Sequence, residues 1–322
     1  MPSTYQFAFW NVENLFDVEG SPRRSEKLER AIGQDLRGWT QARLDRKVGQ
    51  LASILQKMNG GQGPDILGVC EIENEHVVRL LAQALAPLGR NYDAVHADTN
   101  DQRGIDVAFI YDKNRFTAGE RFSHFVMRRT ATRDLLQVNF TTSAGRQFVL
   151  VGNHWPSRSG GEAESAVYRA VAGETLAYFH QRILEVLGND TPVMAMGDFN
   201  DEPHDTSLVD YALSLRSRTK VVNARTAQFF NLMWPLMGQG LGSFYFDNFP
   251  NMLDQFLANR RLLAQSSPLR VVEDSARIES FPEMTTPGDY PRPIPFGGMG
   301  KPVNQNGFSD HFPISVAVRE AD

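Results

Sequence analysis

Apolar and polar positions along this chain follow two rhythms. An aromatic-rich run over 5–12 alternates into the polar pair Glu13-Asn14, which predicts a first strand. Leu44, Val48, Leu51, Ile54 and Leu55 recur at helical spacing. A helix is therefore expected over 41–58, with Thr40 as N-cap and Gly60-Gly61-Gln62-Gly63-Pro64 as its stop. A short apolar strand is expected over 65–70. Val78, Leu81, Leu85 and Leu88 place a second helix over 75–88. Strands follow at 92–96 and 105–111 around the polar turn 98–101, and at 120–127, 134–141 and 146–153, the last two joined through Ser143-Ala144-Gly145. A long helix spans 164–187, and a strand over 192–196 opens into Gly197-Asp198-Phe199-Asn200-Asp201. Beyond it the periodicity weakens: a helix at 207–215, strands at 243–246 and 254–257, and a closing strand at 314–318. Residues 19–39 read as a loop holding a short helix, and the Pro- and Gly-rich segment 281–309 as a long irregular loop.

Hairpin order and strand–helix–strand order both occur, which implies an α/β protein with mixed sheets. Two sheets packed face to face with outer helices fit the count. No repeat, low-complexity linker or charge block interrupts the 322 residues, so residues 1–322 are expected to form a single domain.

Hydrophobic residues are 41% of the chain, enough for a sizeable core. The net charge of −5 argues against a strongly basic surface for long duplex DNA, although arginines cluster at 128–133 and 158–169. Cys70 is the single cysteine, so no intrachain disulfide can form; its apolar setting reads as a buried thiol. No signal peptide is apparent, and no run approaches the ~20 apolar residues of a membrane span. A cytoplasmic location without stable membrane association is expected, and no protein partner is deducible.

Three polar clusters adjoin predicted strands: Cys70-Glu71-Ile72-Glu73-Asn74, Gly197-Asp198-Phe199-Asn200-Asp201 and Ser309-Asp310-His311. Glu71 at a strand end is a hard oxygen ligand suited to Mg²⁺, Mn²⁺ or Ca²⁺, with Glu73 and Asn74 as alternatives. Asn11, among aromatic strand residues, needs a buried partner and can orient a carboxylate or touch a metal or phosphate. Asp198 and Asn200 at period-2 spacing share one side of the backbone and can hold a water and a phosphate oxygen, or simply form a turn. His311 paired with a carboxylate can take a proton or bind phosphate as imidazolium. His154 ends another apolar strand, Arg158 offers a phosphate contact, Arg103 offers another or an ion pair with Asp106, and Asp254 is a carboxylate in apolar surroundings that requires pairing. Trp155, Tyr168 and Arg169 offer stacking and phosphate contacts. Zinc, P-loop and nucleophile-elbow patterns are absent from the sequence.

Together with Phe9-Trp10-Asn11-Val12-Glu13-Asn14-Leu15-Phe16-Asp17, Arg103-Gly104-Ile105-Asp106-Val107-Ala108 and His154-Trp155-Pro156-Ser157-Arg158, these clusters resemble the endonuclease/exonuclease/phosphatase superfamily. Members include DNase I, exonuclease III-like repair nucleases, sphingomyelinases and inositol polyphosphate 5-phosphatases. The wording is most similar to the bacterial endonuclease-like branch. The resemblance runs from Asn11 to His311 and implies a four-layer α/β sandwich with the site at one rim. It implies Glu71 as primary Mg²⁺ ligand (Mn²⁺ or Ca²⁺ as alternatives) with Asn11 beside it, and Asp310 in the metal site or proton network. Asp198 and Asn200 would position water and phosphate. His311 would be the catalytic histidine oriented by Asp254, with His154 the second histidine and Asp98 its acidic partner. Tyr111 does not match the tyrosine of apurinic-site nucleases in context. The implied activity is a metal-dependent phosphodiesterase, foremost a nuclease hydrolysing DNA or RNA by in-line water attack. The alternatives are a phosphoesterase on small-molecule or lipid-headgroup phosphates, and an inactive binding protein on the same fold.

Overall fold

The computed structural model describes residues 3–321 apart from 100, 102, 130, 131, 159, 160, 289 and 290. Asn100 of the expected 98–101 turn lies outside the described residues. The first half supplies β1 (Ser3–Leu15), β2 (Ile66–Ile72), β3 (Tyr92–His96) and β4 (Asp106–Asp112). The middle supplies β5 (Phe116–His124), β6 (Leu135–Thr142), β7 (Gln147–His154), β8 (Val193–Asp198), β9 (Ser214–Leu215) and β10 (Phe229–Asn231). A small hairpin, β11 (Phe244–Phe246) and β12 (Phe249–Asn251), precedes β13 (Asp254–Asn259), β14 (Leu269–Val271), β15 (Arg277–Ile278) and β16 (Ile314–Glu320). The main helices are α1 (Glu26–Ile32), α2 (Gln41–Leu55), α3 (Glu75–Ala84) and α4 (Glu162–Leu187).

One sheet runs β14-β16-β1-β2-β4-β3, with β15 against β16; the other runs β5-β6-β7-β8-β13-β10-β9. Most pairings are antiparallel; the short β9/β10 pair is parallel, as are the two long pairs β1/β2 and β7/β8. A parallel pair needs a crossover, and α2 and α4 lie in those two connections. The sheets face each other across Phe7, Phe9, Phe109, Phe140, Phe148, Met194, Met196 and Phe256. The alternate side chains Ala8, Trp10, Leu67 and Val69 pack outward under Leu51 and Leu55 of α2 and Val78 and Leu81 of α3. Val149, Val151, Val193 and Ala195 pack under Ala172, Leu176 and Ile183 of α4. The result is a four-layer α/β sandwich. Both faces of the central strands are covered, which is why they read as nearly continuous apolar runs.

Thr40 caps α2 as expected, its hydroxyl accepting from Arg43 N. The helix stops at Leu55, before the left-handed Asn59 and Gly60. α3 ends at Ala84, and the following turn Ala86–Leu88 is 3₁₀ around Pro87. The helix expected over 207–215 is instead a single π turn, Ser207–Tyr211, closed by Ala212 N to Ser207 O. Leu213 then takes a positive φ of 54° and the chain enters β9. Among the described residues no helix is long and apolar enough to cross a membrane.

Candidate functional site

The C-terminal ends of the parallel pairs β1/β2 and β7/β8 meet at one rim, joined by the start of β13 and the loop before β16. Local irregularities aim the polar groups there. The register between β2 and β4 shifts between Cys70 and Ile72, and Glu71 sits in that bulge with φ 63°. The extra residue breaks alternation and turns the carboxylate out of the apolar layers. Asn200 is also left-handed, φ 52°, and its N–H donates to Asp198 Oδ1 at 2.9 Å. Gly197 is required because a Cβ there would lie 2.2 Å from the carbonyl of Asn153 on the neighbouring strand. The loop Ser309-Asp310-His311 is tied to β1: Ser309 Oγ donates to Asn11 O, and Trp10 Nε1 to His311 O.

Asn11 is buried, and its Nδ2 donates to Asp198 Oδ2 at 3.0 Å and to Glu71 Oε1 at 3.4 Å. Its oxygen accepts from Glu13 N. Asn11 thus clamps two carboxylates, and its oxygen is committed to the backbone. His311 Nδ1 lies 2.7 Å from Asp254 Oδ2, while Nε2 is 4.0 Å from both Asp198 Oδ2 and Asp310 Oδ1. Burial alone would depress the His311 pKa, but Asp254, Asp198 and Asp310 together hold it well above the ordinary value, so the ring is an imidazolium at neutral pH. Burial pushes the Asp198 carboxyl up to about 6, with Asp254 adding to this and His311, Asn200 N–H and Asn11 opposing it. His154 behaves oppositely. Its Nε2 is 2.8 Å from Arg133 Nη2, and burial with that guanidinium drives its pKa well below the usual range. The ring is neutral, so its 3.8 Å approaches to Glu71 and Asp198 are not ion pairs.

Asp310 keeps 29% of its side chain exposed, yet burial beside Glu13 and Glu71 pushes its carboxyl up to about 7 against the opposing charge of His311. Behind it Lys47 is fully buried, donating to Phe308 O, with its pKa lowered to about 8 by burial against the pull of Glu13, Asp310 and Glu71. Glu13 Oε1 is buried without a hydrogen-bond partner. This surplus of converging carboxylate charge, with hard oxygen donors, fits a divalent cation. Asp198, Asp254 and His311 also lie close enough together to hold an ion. The short His311–Asp254 bond, however, occupies the ring nitrogen nearest Asp254.

Several candidates take other work. Glu73 forms a buried bidentate pair with Arg24, and Asn74 caps α3. Trp155 is 1% exposed, with Nε1 donating to Asn153, so it is core and offers no stacking face. Arg158 donates to Asn200 O and pairs with Asp201, Asp205 and Glu162; it braces the 198–201 loop instead of facing a phosphate. Arg169 is buried against Asp201, and the ring of Tyr168 lies under Arg128. Asp98 lies beside His96, not His154, and Tyr111 packs on Phe140 in the core. Asp106 is taken by His96 and Thr99, while exposed Arg103 adds positive field at His154 and Arg133. Asn200 Nδ2 donates to Trp155 O. Sequence reasoning passed over Arg133, buried between Asp101, His154 and the carbonyl of Trp155. Its only signal was membership of the 128–133 arginine cluster. It also passed over Lys47, which sits on an otherwise ordinary helix face. Cys70 is fully buried, and burial with the nearby carboxylates keeps its thiol protonated.

The match to the endonuclease/exonuclease/phosphatase family model covers residues 6–320. The fold is similar to an endonuclease/exonuclease/phosphatase family protein from Bacteroides thetaiotaomicron (17% identity, 100% of this chain and 99% of that one, TM-score 0.58). It is also similar to a mannosyl-6-phosphatase from the same organism (17%, 98% and 99%, 0.56) and to D. rerio TDP2 complexed with a single-strand DNA product (16%, 98% and 99%, 0.57). No curated protein matches the chain. With the family match spanning nearly all of its length, the chain belongs to the endonuclease/exonuclease/phosphatase family.

Proposed function

We propose that this protein is a divalent-metal-dependent phosphodiesterase that hydrolyses nucleic acid strands by in-line attack of water. The observation that carries this reading is the imidazolium of His311, set by Asp254 at 2.7 Å, facing the carboxylate of Asp198 at 4.0 Å across a rim that Glu71 and Asp310 make acidic. Glu71 and Asp310 would hold Mg²⁺ or Mn²⁺. When bound, that ion polarises the phosphate and neutralises the leaving oxygen.

The remaining roles fall to the chain's own groups. Asp198, held by Asn11 and the Asn200 N–H, accepts a proton from the attacking water as the new P–O bond forms. Asn200 fixes the loop that carries Asp198. The His311 imidazolium and the Arg133–His154 pair balance charge on the pentacovalent phosphorus. The opposite P–O bond breaks, and the departing oxygen takes its proton from solvent. Asp254 keeps the imidazolium charged and aimed. Arg103, exposed at the edge of the site, supports a longer polyanionic substrate. The fold likeness to a TDP2 bound to a DNA product is compatible with a strand substrate.

The test is cleavage of end-labelled single- and double-stranded DNA and RNA with Mg²⁺ or Mn²⁺, beside bis-p-nitrophenyl phosphate, with EDTA and Asp198→Ala controls. Metal-dependent strand cleavage lost in the variant is the expected result. Hydrolysis of the small ester alone would replace the nuclease reading with a small-molecule or lipid-headgroup phosphoesterase.

A further inference from the structure

The hairpin β11/β12 turns through Asp247 and Asn248, both left-handed at φ 46° and 67°, the geometry of a tight hairpin turn. It is firmly anchored. Phe244 is bridged to His311 with the two rings 4.8 Å apart, Phe312 N donates to Ser243 O, and Tyr245 packs edge-on against Phe312. Side chains alternate along a strand, so Tyr245 faces the core while Phe244 and Phe246 share the opposite face. Phe249 is the cross-strand partner of Phe246 and lies on that same face. The hairpin therefore carries one aromatic face that begins in contact with His311 and ends in Phe246 and Phe249, exposed at 67% and 74%. Paired aromatic rings left in water on an anchored element call for an occupant.

Resting on the phosphodiesterase reading, we infer that Phe246 and Phe249 form a stacking platform for an unpaired base of a single-stranded nucleic acid whose scissile phosphate lies at His311. Two residues of extended strand separate Phe244 from Phe246. That is roughly 7 Å, about two steps at the ~3.4 Å per-strand rise of a stacked helix and fewer in an extended single strand, so a base near the reacting phosphate reaches the platform. Arg292, exposed and donating to Asn248 at 3.0 Å, puts a cation beside the rings where a neighbouring phosphate would run. A lipid surface fits less well, because the hairpin tip is Asp247-Asn248, and inserting the rings from the tip would carry a carboxylate into the bilayer. Stacking demands a splayed base, so the platform selects single strands over duplex.

The experiment compares cleavage of a single-stranded oligonucleotide with that of an abasic spacer strand of equal length and charge, in wild type, Phe246→Ala/Phe249→Ala and Phe246→Trp/Phe249→Trp. The wild type should prefer the base-bearing strand by roughly 10–100-fold in kcat/KM, mostly through KM. The alanine variant should lose that preference and the tryptophan variant should keep it. Equal rates on both strands in the wild type, or an undiminished preference in the alanine variant, would overturn this inference alone. No cleavage of either strand by the wild type would overturn the nuclease reading and the inference with it. Sedimentation with phosphatidylcholine vesicles that the alanine variant loses, with base preference unchanged, would overturn it in favour of a lipid surface.

Discussion

Asp254→Asn isolates what the buried carboxylate does for His311. Asp254 is fully buried and starts β13 directly opposite Asp198. The amide has the same shape, and its oxygen can still accept from His311 Nδ1, so ring orientation survives while the negative charge is lost. A hydrogen bond to a charged group is worth about 1.5–3 kcal/mol and a neutral one about 0.5–1.5. The net loss is therefore at least ~1–2 kcal/mol, with a ceiling near ~4 kcal/mol for two delocalised charges whose centres lie about 4 Å apart at an effective dielectric of about 20. At ~1.4 kcal/mol per pKa unit, the His311 pKa should fall by about 1–3 units. The imidazolium is the active form, so the alkaline limb of the pH–rate profile should move down by that amount. The acidic limb, set by Asp198 ionising at about 6, loses the repulsion of Asp254 and should move down as well. The profile should shift to lower pH, with kcat lost first on the alkaline side. The assay is a pH–rate profile of both proteins with the His311 ring shift followed by NMR. An alkaline limb and ring titration unchanged in Asp254→Asn would refute the reasoning.

Without metal, the contribution of Asp310 and Asp198 to thermal stability should decline as pH rises from 5 to 8, opposite in sign to that of His154, whose lowered pKa favours the fold as pH rises toward its ordinary value. Asp310 and Asp198 have folded-state pKa values raised to about 7 and about 6, so their protonated forms favour the fold, and that contribution is lost as pH climbs through those values. Mg²⁺ should raise Tm more at pH 8 than at pH 5.5, and Asp310→Asn should flatten the decline; a pH-independent Mg²⁺ effect in differential scanning fluorimetry would contradict this. Arg158→Ala should lower stability by about 1–3 kcal/mol, because Asp201 and Asp205 lose a partner, while KM stays within about twofold in steady-state kinetics. A large KM increase at unchanged Tm would mean that Arg158 does meet the substrate.

The central strands and both crossover helices were legible because their periodicities are set by burial on one or two faces. Thr40 and the glycine-rich stop marked α2 by local chemistry alone. Carboxylates, carboxamides and histidines at strand ends were equally visible, since such groups are costly in a core without a partner. Which group partners which was not visible. The sequence does not reveal that Trp155 is buried in the core, or that Arg158 is engaged by Asp201 and Asp205. Arg133 and Lys47 reach the site from an irregular loop and from mid-helix, where a lone cation looks like an exposed one. The short strands β9, β10, β14 and β15 are two or three residues long, too brief for an alternation to register.

The most direct measurement is the rate of strand cleavage as a function of Mg²⁺ concentration in wild type and Glu71→Gln. Glu71 sits in its bulge with one oxygen accepting from Asn14 N and the other from Asn11, so glutamine preserves the shape while halving the acidic pair with Asp310. The wild type should show saturable activation, abolished by EDTA, and the variant should need more than ~10-fold higher Mg²⁺. Cleavage that is indifferent to EDTA, or an identical Mg²⁺ dependence in the two proteins, would contradict this.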